Sequence, residues 1–558
     1  MRNQRKTTYN SRNPKNLYTM FTALNILLQS TALAGNLEVS WGHVAFATIP
    51  VLLLIILMGF LKMAGDKSAL ITLVTTIVLA LFAFGFPVAY TGLSFVYGVL
   101  KAIFPILIII IMAIFSYNVL VKTGKMEILK EQFSSISSDK CIQVLLLTWG
   151  FGGLLEGMAG FGTAVAIPAA ILISLGFKPI FSAVASLIAN SVATGFGAVG
   201  TPVKVLAEQA GVTDIQVLST QVVLQLSPLM ILIPFVLVFM TDPRIKSLPK
   251  HILLSVIVGV VSLAVQYIAA RYMGAETPAI LGSIASIIAI IIYAKLTATK
   301  EDKELKAKFP KRTMGEIINA WSVYGFILIL VILTSPLLPL RNILAPLSAT
   351  TLFSQNIFDA VTQTEVVRSI KVSWLTDAGV LLFLGSILGG LLQGAKIVEL
   401  IKLLGTVIKQ QRKTIVTVCS LIALSSIMDF SGMISQLGLA LAIATGSLYP
   451  LFAPTIGCLG TFLTGSDTSS NILFGKLQAS VAHTTGADPS WLAAANTAGA
   501  TGGKIISPQS IAVATSACGL QGREGEIMKK ALPYALGYIV VSGLMVYFVP
   551  KIMGTILF

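Results

Sequence analysis

The chain has 558 residues, of which 55% are hydrophobic and only 11% charged, and its formal net charge is +16. A water-soluble domain carries about 25% charged residues, so a soluble fold of this length is excluded. The positive balance does not point to nucleic acid, because Lys and Arg fall mostly in short loops between apolar runs and no basic, aromatic-interleaved surface is visible.

In chain order, the first sixteen residues hold Arg2, Arg5, Lys6, Arg12 and Lys15 and no acid. The stretch 17–35, "LYTMFTALNILLQSTALAG", reads either as an extra membrane helix or as a removable signal segment, so 1–37 is a basic N-terminal extension. Residues 38–558 read as a single transmembrane transport domain. Apolar segments follow near 44–62, 69–87, 95–120, 141–176, 180–200, 217–240, 251–271, 278–295, 317–338, 375–395, 414–452, 455–475, 491–516 and 532–556. A helix of about 20 apolar residues crosses the hydrocarbon. The segments 141–176 and 414–452 have the length of two passes or of a re-entrant hairpin. The predicted fold is therefore all-α and polytopic, with about 12–16 transmembrane segments.

Loop charge predicts orientation. Basic residues gather at 121–140, 241–250, 295–316, 396–413 and 519–530, and threading the segments puts all five on one side, which reads as cytoplasmic. The loops 88–93, 203–216, 272–277, 339–374 and 476–490 fall opposite. Lys101, close to a segment start, is expected to snorkel to the interface, and Trp149 and Trp491, near segment ends, to anchor there. Gly385 and Gly389 form G-x-x-x-G and read as helix packing.

Residues 190–202, "NSVATGFGAVGTP", carry the letters G-x-G-x-x-G at Gly195, Gly197 and Gly200. A dinucleotide turn needs a strand before it and an acid about twenty residues on, and neither is present. A second stretch, "NTAGATGGKIISP" (496–508), aligns beneath the first without a gap. Asn190 meets Asn496, Ser191 meets Thr497, Gly197 meets Gly503, Thr201 meets Ser507 and Pro202 meets Pro508. The loop count sends the first stretch outward and the second inward, the pattern of an inverted repeat with glycine-broken helices in halves of roughly 44–295 and 317–558. Peptide groups released at such breaks cannot be satisfied by hydrocarbon, so they need protein, water or a bound solute. Helix N-termini there suit a carboxylate.

Acids also occur at membrane depth. Glu156 lies among glycines in "WGFGGLLEGMAGFGTAVAIP" (149–168), Asp429 in "LSSIMDFSGMISQ" (424–436), and Asp467 in "GTFLTGSDTSSNILFG" (460–475). Charges there are expensive and usually mark ion or proton routes. A buried ion pair of Glu156 or Asp467 with Lys504 is the structural alternative, and Asp429 is equally consistent with a place near a helix end. The four cysteines and three histidines are scattered, so no disulfide frame, metal site or cofactor is expected.

The stretches "EGMAGFGTAVAIPAAIL" (156–172), "NSVATGFGAVGTPV" (190–203), "GSDTSSNILFGKLQ" (465–478) and "GGKIISPQSIAVA" (502–514) resemble the L-lactate permease family from about residue 38 to 558. The resemblance implies import of L-lactate and related 2-hydroxy-monocarboxylates, such as glycolate, with protons across a bacterial plasma (inner) membrane. The carboxylate is then expected near Gly195, Gly197, Gly502 and Gly503, helped by Asn190, Asn496 and Lys504, with Ser191 and Thr201 also lining the substrate site. Hydroxyl contacts are expected from Thr468, Ser469, Ser470 or Ser507, and proton coupling from Glu156, Asp467 or Asp429. The residues alone leave open a sodium-coupled carboxylate carrier, a cation/proton antiporter, a passive channel and a membrane-embedded enzyme. The last is disfavoured by sparse histidine and the lack of H-E-x-x-H.

Overall fold

The structure, a computed structural model, describes residues 39–553 apart from Lys62, Phe161, Lys308, Gln521 and Gly522. The 17–35 stretch and the rest of the basic extension lie outside the described residues. Among the described residues, eleven helices are long and apolar enough to cross a membrane, or twelve if the bent pair Pro179–Thr194 and Gly197–Ala210 makes one span. The chain is thus a polytopic, all-α membrane protein.

The long segment 141–176 resolves into Lys140–Met158, wholly buried in its apolar window, and Thr163–Ser174, too short to span. Gly160 and Gly162 reverse the chain between them with φ of +61° and +86°, a conformation that costs glycine little. The segment is thus one helix long enough to span followed by one that is not. In the second half the expected boundaries are wrong. The segment drawn as 455–475 is not one span, because Gly465 and Ser466 interrupt it and leave Tyr449–Thr464 and Asp467–Thr485 packed side by side. The segment 414–452 instead divides into Arg412–Phe430, Met433–Thr445 and the first turn of the helix that starts at Tyr449.

Two stretches consequently share one order of elements. Lys140–Met158, Thr163–Ser174, Pro179–Thr194, Gly197–Ala210 and Ile215–Thr241 correspond to Tyr449–Thr464, Asp467–Thr485, Pro489–Lys504, Pro508–Ala517 and Glu524–Met553. Proline opens Pro179–Thr194 and Pro489–Lys504, where its missing N–H would be unpaired in any case.

Small residues let these helices touch backbone to backbone. A Cβ on Gly499 would fall on the Pro454 carbonyl, one on Gly457 on the Asn496 carbonyl, and one on Gly503 on the Cys458 carbonyl. Gly385 and Gly389 likewise lie against the backbone of Ile327 and Val323, the packing role expected of them. The two tryptophans are not interface anchors. Trp149 is 5% and Trp491 3% exposed, and the Trp491 indole donates to the Val546 carbonyl at 3.0 Å.

One feature departs from the helical expectation. Within the loop 339–374, β1 (Ala349–Asp359) pairs antiparallel with β2 (Thr364–Ser373), with a bulge between Thr351 and Phe353. This hairpin lies along the helix Val88–Lys101, with Phe358 against Phe86 and Tyr90, and Phe353 against Tyr97.

Three of the five basic loops, 121–140, 241–250 and 295–316, are tied together. On one face Arg312 bonds Glu131 at 2.8 Å, Lys250 bonds Asp139 at 2.5 Å and Thr123 bonds Gln393 at 2.6 Å. Asp302 accepts from Ser137, Ser138 and Thr299 over 2.6–3.1 Å, tying 121–140 to 295–316. Burial opposes the Asp302 charge, but the N–H and hydroxyl donors of Thr299 and Ser138 outweigh it and hold the carboxyl well below the usual carboxylate range. A depressed pKa contributes stability that is full above the unfolded value, near pH 3.9, and is lost as pH falls toward the folded one. Asp302→Asn is therefore expected to melt below wild type at neutral pH, with a gap that closes in acid below about pH 4. Thermal melting in detergent across pH checks this, and a gap independent of pH would refute it.

Candidate functional site

The first hairpin turns at Gly160 and Gly162, one helical turn beyond Glu156. Glu156 is 4% exposed, and a Cβ on Gly197 would come within 2.6 Å of its Oε1. The bare glycine is what admits the carboxylate to the break of the first helix pair. That break is sharp: Ala198, Val199 and Gly200 follow with φ of +43°, +55° and +74°. Two of the three carry a Cβ, and left-handed backbone costs each about 1–2 kcal/mol. Surrounding structure must hold them there, as happens at ligand clamps. The pair bends by 49° as a result.

The second hairpin turns at Gly465, with φ +70°. Ser466 caps the next helix by accepting the Ser469 N–H at 3.3 Å, which sets Asp467 in its first turn. Thr461 donates to Asp467 Oδ1 at 3.2 Å, and Thr194 of the first broken helix lies beside the same carboxylate. Lys504 ends the helix Pro489–Lys504 and donates to the Gly465 carbonyl at 2.9 Å. No carboxylate among the described residues is within ion-pairing reach of its ammonium, so the expected alternative of a direct pair is not what holds Lys504. Its charge still acts on both Glu156 and Asp467.

The two broken helices cross where a Cβ on Gly195 would meet Thr497 at 3.1 Å and Thr501 at 3.3 Å. Asn471 links three elements there. Its amide donates to the Pro202 carbonyl and to Thr497, both at 2.9 Å, while its oxygen accepts from Asn496 at 2.9 Å. Thr501 and Tyr538 share a hydrogen bond of 2.8 Å. Amid these satisfied groups, Glu156 Oε2, Asp467 Oδ2 and both polar atoms of Asn190 are buried without a hydrogen bond among the described residues. Asn190 is close enough to Glu156 to act on its charge, yet the pair falls short of hydrogen-bond geometry. Buried polar atoms in folded proteins are nearly always paired, so four orphans in one place mark a polar site for a solute or proton.

The expected residues are placed unevenly. Glu156, Asn190, Gly195, Gly197, Asp467, Asn496 and Lys504 converge around the two breaks. Ser191 and Thr201 turn back onto their own helices, bonding Ile188 and Ala198 carbonyls at 2.7 and 2.6 Å. Thr468 and Ser469 are buried in the turn after Asp467, and Ser470 bonds the Gly457 carbonyl at 2.7 Å. The second break falls after Gly502 and Gly503, at Ile505–Ser507, and Ser507 caps the helix Pro508–Ala517. Gly502 and Gly503 themselves pack against Tyr538 and Cys458. Asp429 lies apart, paired with Lys476 at 3.5 Å near the end of Arg412–Phe430. Lys101 does not snorkel outward. Its side chain is 14% exposed and faces Glu208 at 3.8 Å. Sequence reading misses Thr194, Thr461 and Tyr538, which no local pattern separates from ordinary small or aromatic helix residues, and leaves Asn471 unassigned although it stands one turn from Asp467.

The L-lactate permease family profile matches residues 44–553. The chain belongs to the L-lactate permease family. An L-lactate permease of Streptococcus iniae is 38% identical over 448 residues, covering 80% of this chain and 92% of the relative. Glycolate permease GlcA of Escherichia coli K12 is 32% identical, covering 89% and 94%. An L-lactate permease of Bacillus subtilis 168 is 31% identical, covering 91% and 95%. This family member is thus a multi-pass membrane permease, and Glu156, Asn190 and Asp467 of the site above are buried within it.

Proposed function

We propose that this permease imports L-lactate and related 2-hydroxy-monocarboxylates together with protons, by alternating access around the two broken helix pairs. The observation that carries the reading is the convergence of Glu156, Asp467 and Asn190, each with an unpaired buried atom, beside Lys504. The anion's carboxylate meets Lys504 and the amide of Asn190, its hydroxyl meets a carboxyl oxygen or a neighbouring Thr, and a proton on Glu156 or Asp467 offsets the added negative charge. Relatives named for lactate and for glycolate support a 2-hydroxy acid as cargo.

Competition for labelled L-lactate uptake into proteoliposomes tests this, with D-lactate, glycolate, pyruvate and acetate as competitors. Glycolate is expected to compete well, and acetate at least about 10-fold less, because a site built for a hydroxyl is left unpaired without it. An inward proton gradient alone is expected to drive accumulation. Equal competition by acetate would remove the hydroxyl from the reading, and uptake that needs a sodium gradient would replace the proton by Na⁺.

A further inference from the structure

The helices that start at the site, Gly197–Ala210 and Asp467–Thr485, carry a second polar cluster farther along, near the end of the first and midway along the second. Glu208 is eleven residues beyond Gly197 and Lys476 nine beyond Asp467, so at about 1.5 Å per residue the cluster lies roughly 15 Å along the helices from the site. Lys101 faces Glu208 at 3.8 Å, and Asp429 faces Lys476 at 3.5 Å. Arg368 of β2 completes the group, with its guanidinium 5.1 Å from the ring centroid of Phe430. Tyr97 stands edge-on to that ring at 6.1 Å and holds the Lys101 ammonium 5.9 Å from its own centroid. The cations therefore rest on a small aromatic platform under the β-hairpin.

Two features set this cluster apart from a neutral structural belt. Glu208, Asp429, Lys476 and Arg368 all act on the Lys101 charge, so three cations stand against two carboxylates. Neighbouring Lys204 and Arg341 are taken up by Glu276, at 2.9 and 3.9 Å. Arg368 also makes no ion pair with a carboxylate among the described residues, and its buried Nε has no hydrogen-bond partner. A guanidinium held by an aromatic face, with a donor to spare, is suited to a carboxylate. Across the strands Arg368 pairs with Gln355, which lines a polar groove of about 330 Å³ together with Tyr90, Ser354, Asn356, Glu365 and Val367.

We propose that Arg368, together with Lys101, is an outer capture point for the carboxylate of the transported anion, from which it passes along Gly197–Ala210 and Asp467–Thr485 to the central site. This rests on the transport reading above. Charge in a cleft raises the local concentration and arrival rate of an opposite charge by 10-fold or more. The anion's own partner at the central site is Lys504, so removal of Arg368 affects arrival and leaves the crossing step intact.

The test is the initial rate of labelled L-lactate uptake by intact cells that lack other lactate carriers, across a range of concentrations and at matched protein abundance. Arg368→Gln is expected to raise KM about 10-fold with little change in Vmax, and Arg368→Lys, which keeps the charge but not the planar donor fork, to recover only part of that loss. In wild type, KM is expected to rise several-fold from low to high ionic strength, since salt screens such charges. This arm needs no variant, so it decides the matter even if Arg368→Gln fails to accumulate. A KM indifferent to salt overturns the proposal, as does a loss of Vmax at unchanged KM in the variants, the signature of a purely structural clamp. Wild-type uptake of L-lactate tests the transport reading separately: its absence sinks that reading, whereas uptake with a KM blind to Arg368 and to salt sinks only this one.

Discussion

Glu156→Gln and Asp467→Asn are each expected to lower proton-driven accumulation of L-lactate by on the order of 100-fold, in proteins that still fold. Glutamine keeps the shape that rests on Gly197, and the lost Oε2 had no protein partner to leave behind. Asparagine keeps the oxygen that accepts from Thr461 at 3.2 Å. What each variant loses is a group that can carry a charge at one moment and a proton at another. Exchange of lactate for lactate at equal pH on both sides needs no net proton movement and is expected to suffer less than accumulation. Proteoliposomes loaded for accumulation and for exchange separate the two effects. If both variants accumulate lactate as wild type does, neither acid is the coupling group.

The second large effect concerns folding. Gly499→Ala is expected to destabilise the protein by about 3 kcal/mol or more, at the upper end for an overpacked core, because the new Cβ meets a backbone carbonyl that no rotamer change can move. That carbonyl, of Pro454, lies within an interface where Gly457 and Gly503 make the same kind of contact, so the two helices would have to part along their length. Asn496 is on the same helix one turn earlier and holds Asn471 at 2.9 Å, so the site would open with the interface. Gly537→Ala on the helix Glu524–Met553 is the control. Among the described residues nothing lies within 4 Å of its would-be Cβ, and alanine in an open helix position is favoured over glycine by about 0.5–1 kcal/mol. Monodisperse yield and melting in detergent compare the two, and a Gly499→Ala protein as stable as wild type would contradict the interface.

Much of the site is legible in the amino-acid sequence, for a specific reason. Glu156, Asp467, Asn190 and Lys504 stand out because an ionisable or amide side chain in a long apolar run has few tolerable explanations. The gapless match of 190–202 with 496–508 likewise picks out two stretches that meet in space, where Gly195 faces Thr497. The positions of the breaks are less legible. The second lies at Ile505–Ser507, after the two glycines that draw attention to it, because Gly502 and Gly503 serve close packing inside an intact helix. The turn at Gly465 is marked only by the polar run Ser466–Asn471 that follows it, and a window drawn for apolar residues runs across it because both flanks, 455–463 and 472–474, are apolar. The β-hairpin is hidden too, since its strands are mostly exposed and carry no regular apolar–polar alternation.

Hydropathy determined on its own that this chain is a bundle of membrane helices, and loop charge grouped three loops, 121–140, 241–250 and 295–316, that do meet. Both are properties of how each residue type partitions between water and hydrocarbon, and they need no knowledge of neighbours. The tertiary structure alone decided which apolar faces meet protein and which meet lipid. Trp149, Trp491 and Lys101 have the sequence positions of interface residues and lie inside, because a lipid tail and a packed helix are equally apolar partners and a single helix carries no record of which it will touch. For the same reason Asn471 finds Pro202 and Thr497 only once the chain has folded: a hydrogen bond across 269 residues is decided by where two backbones come to rest, and not by anything near either end of it.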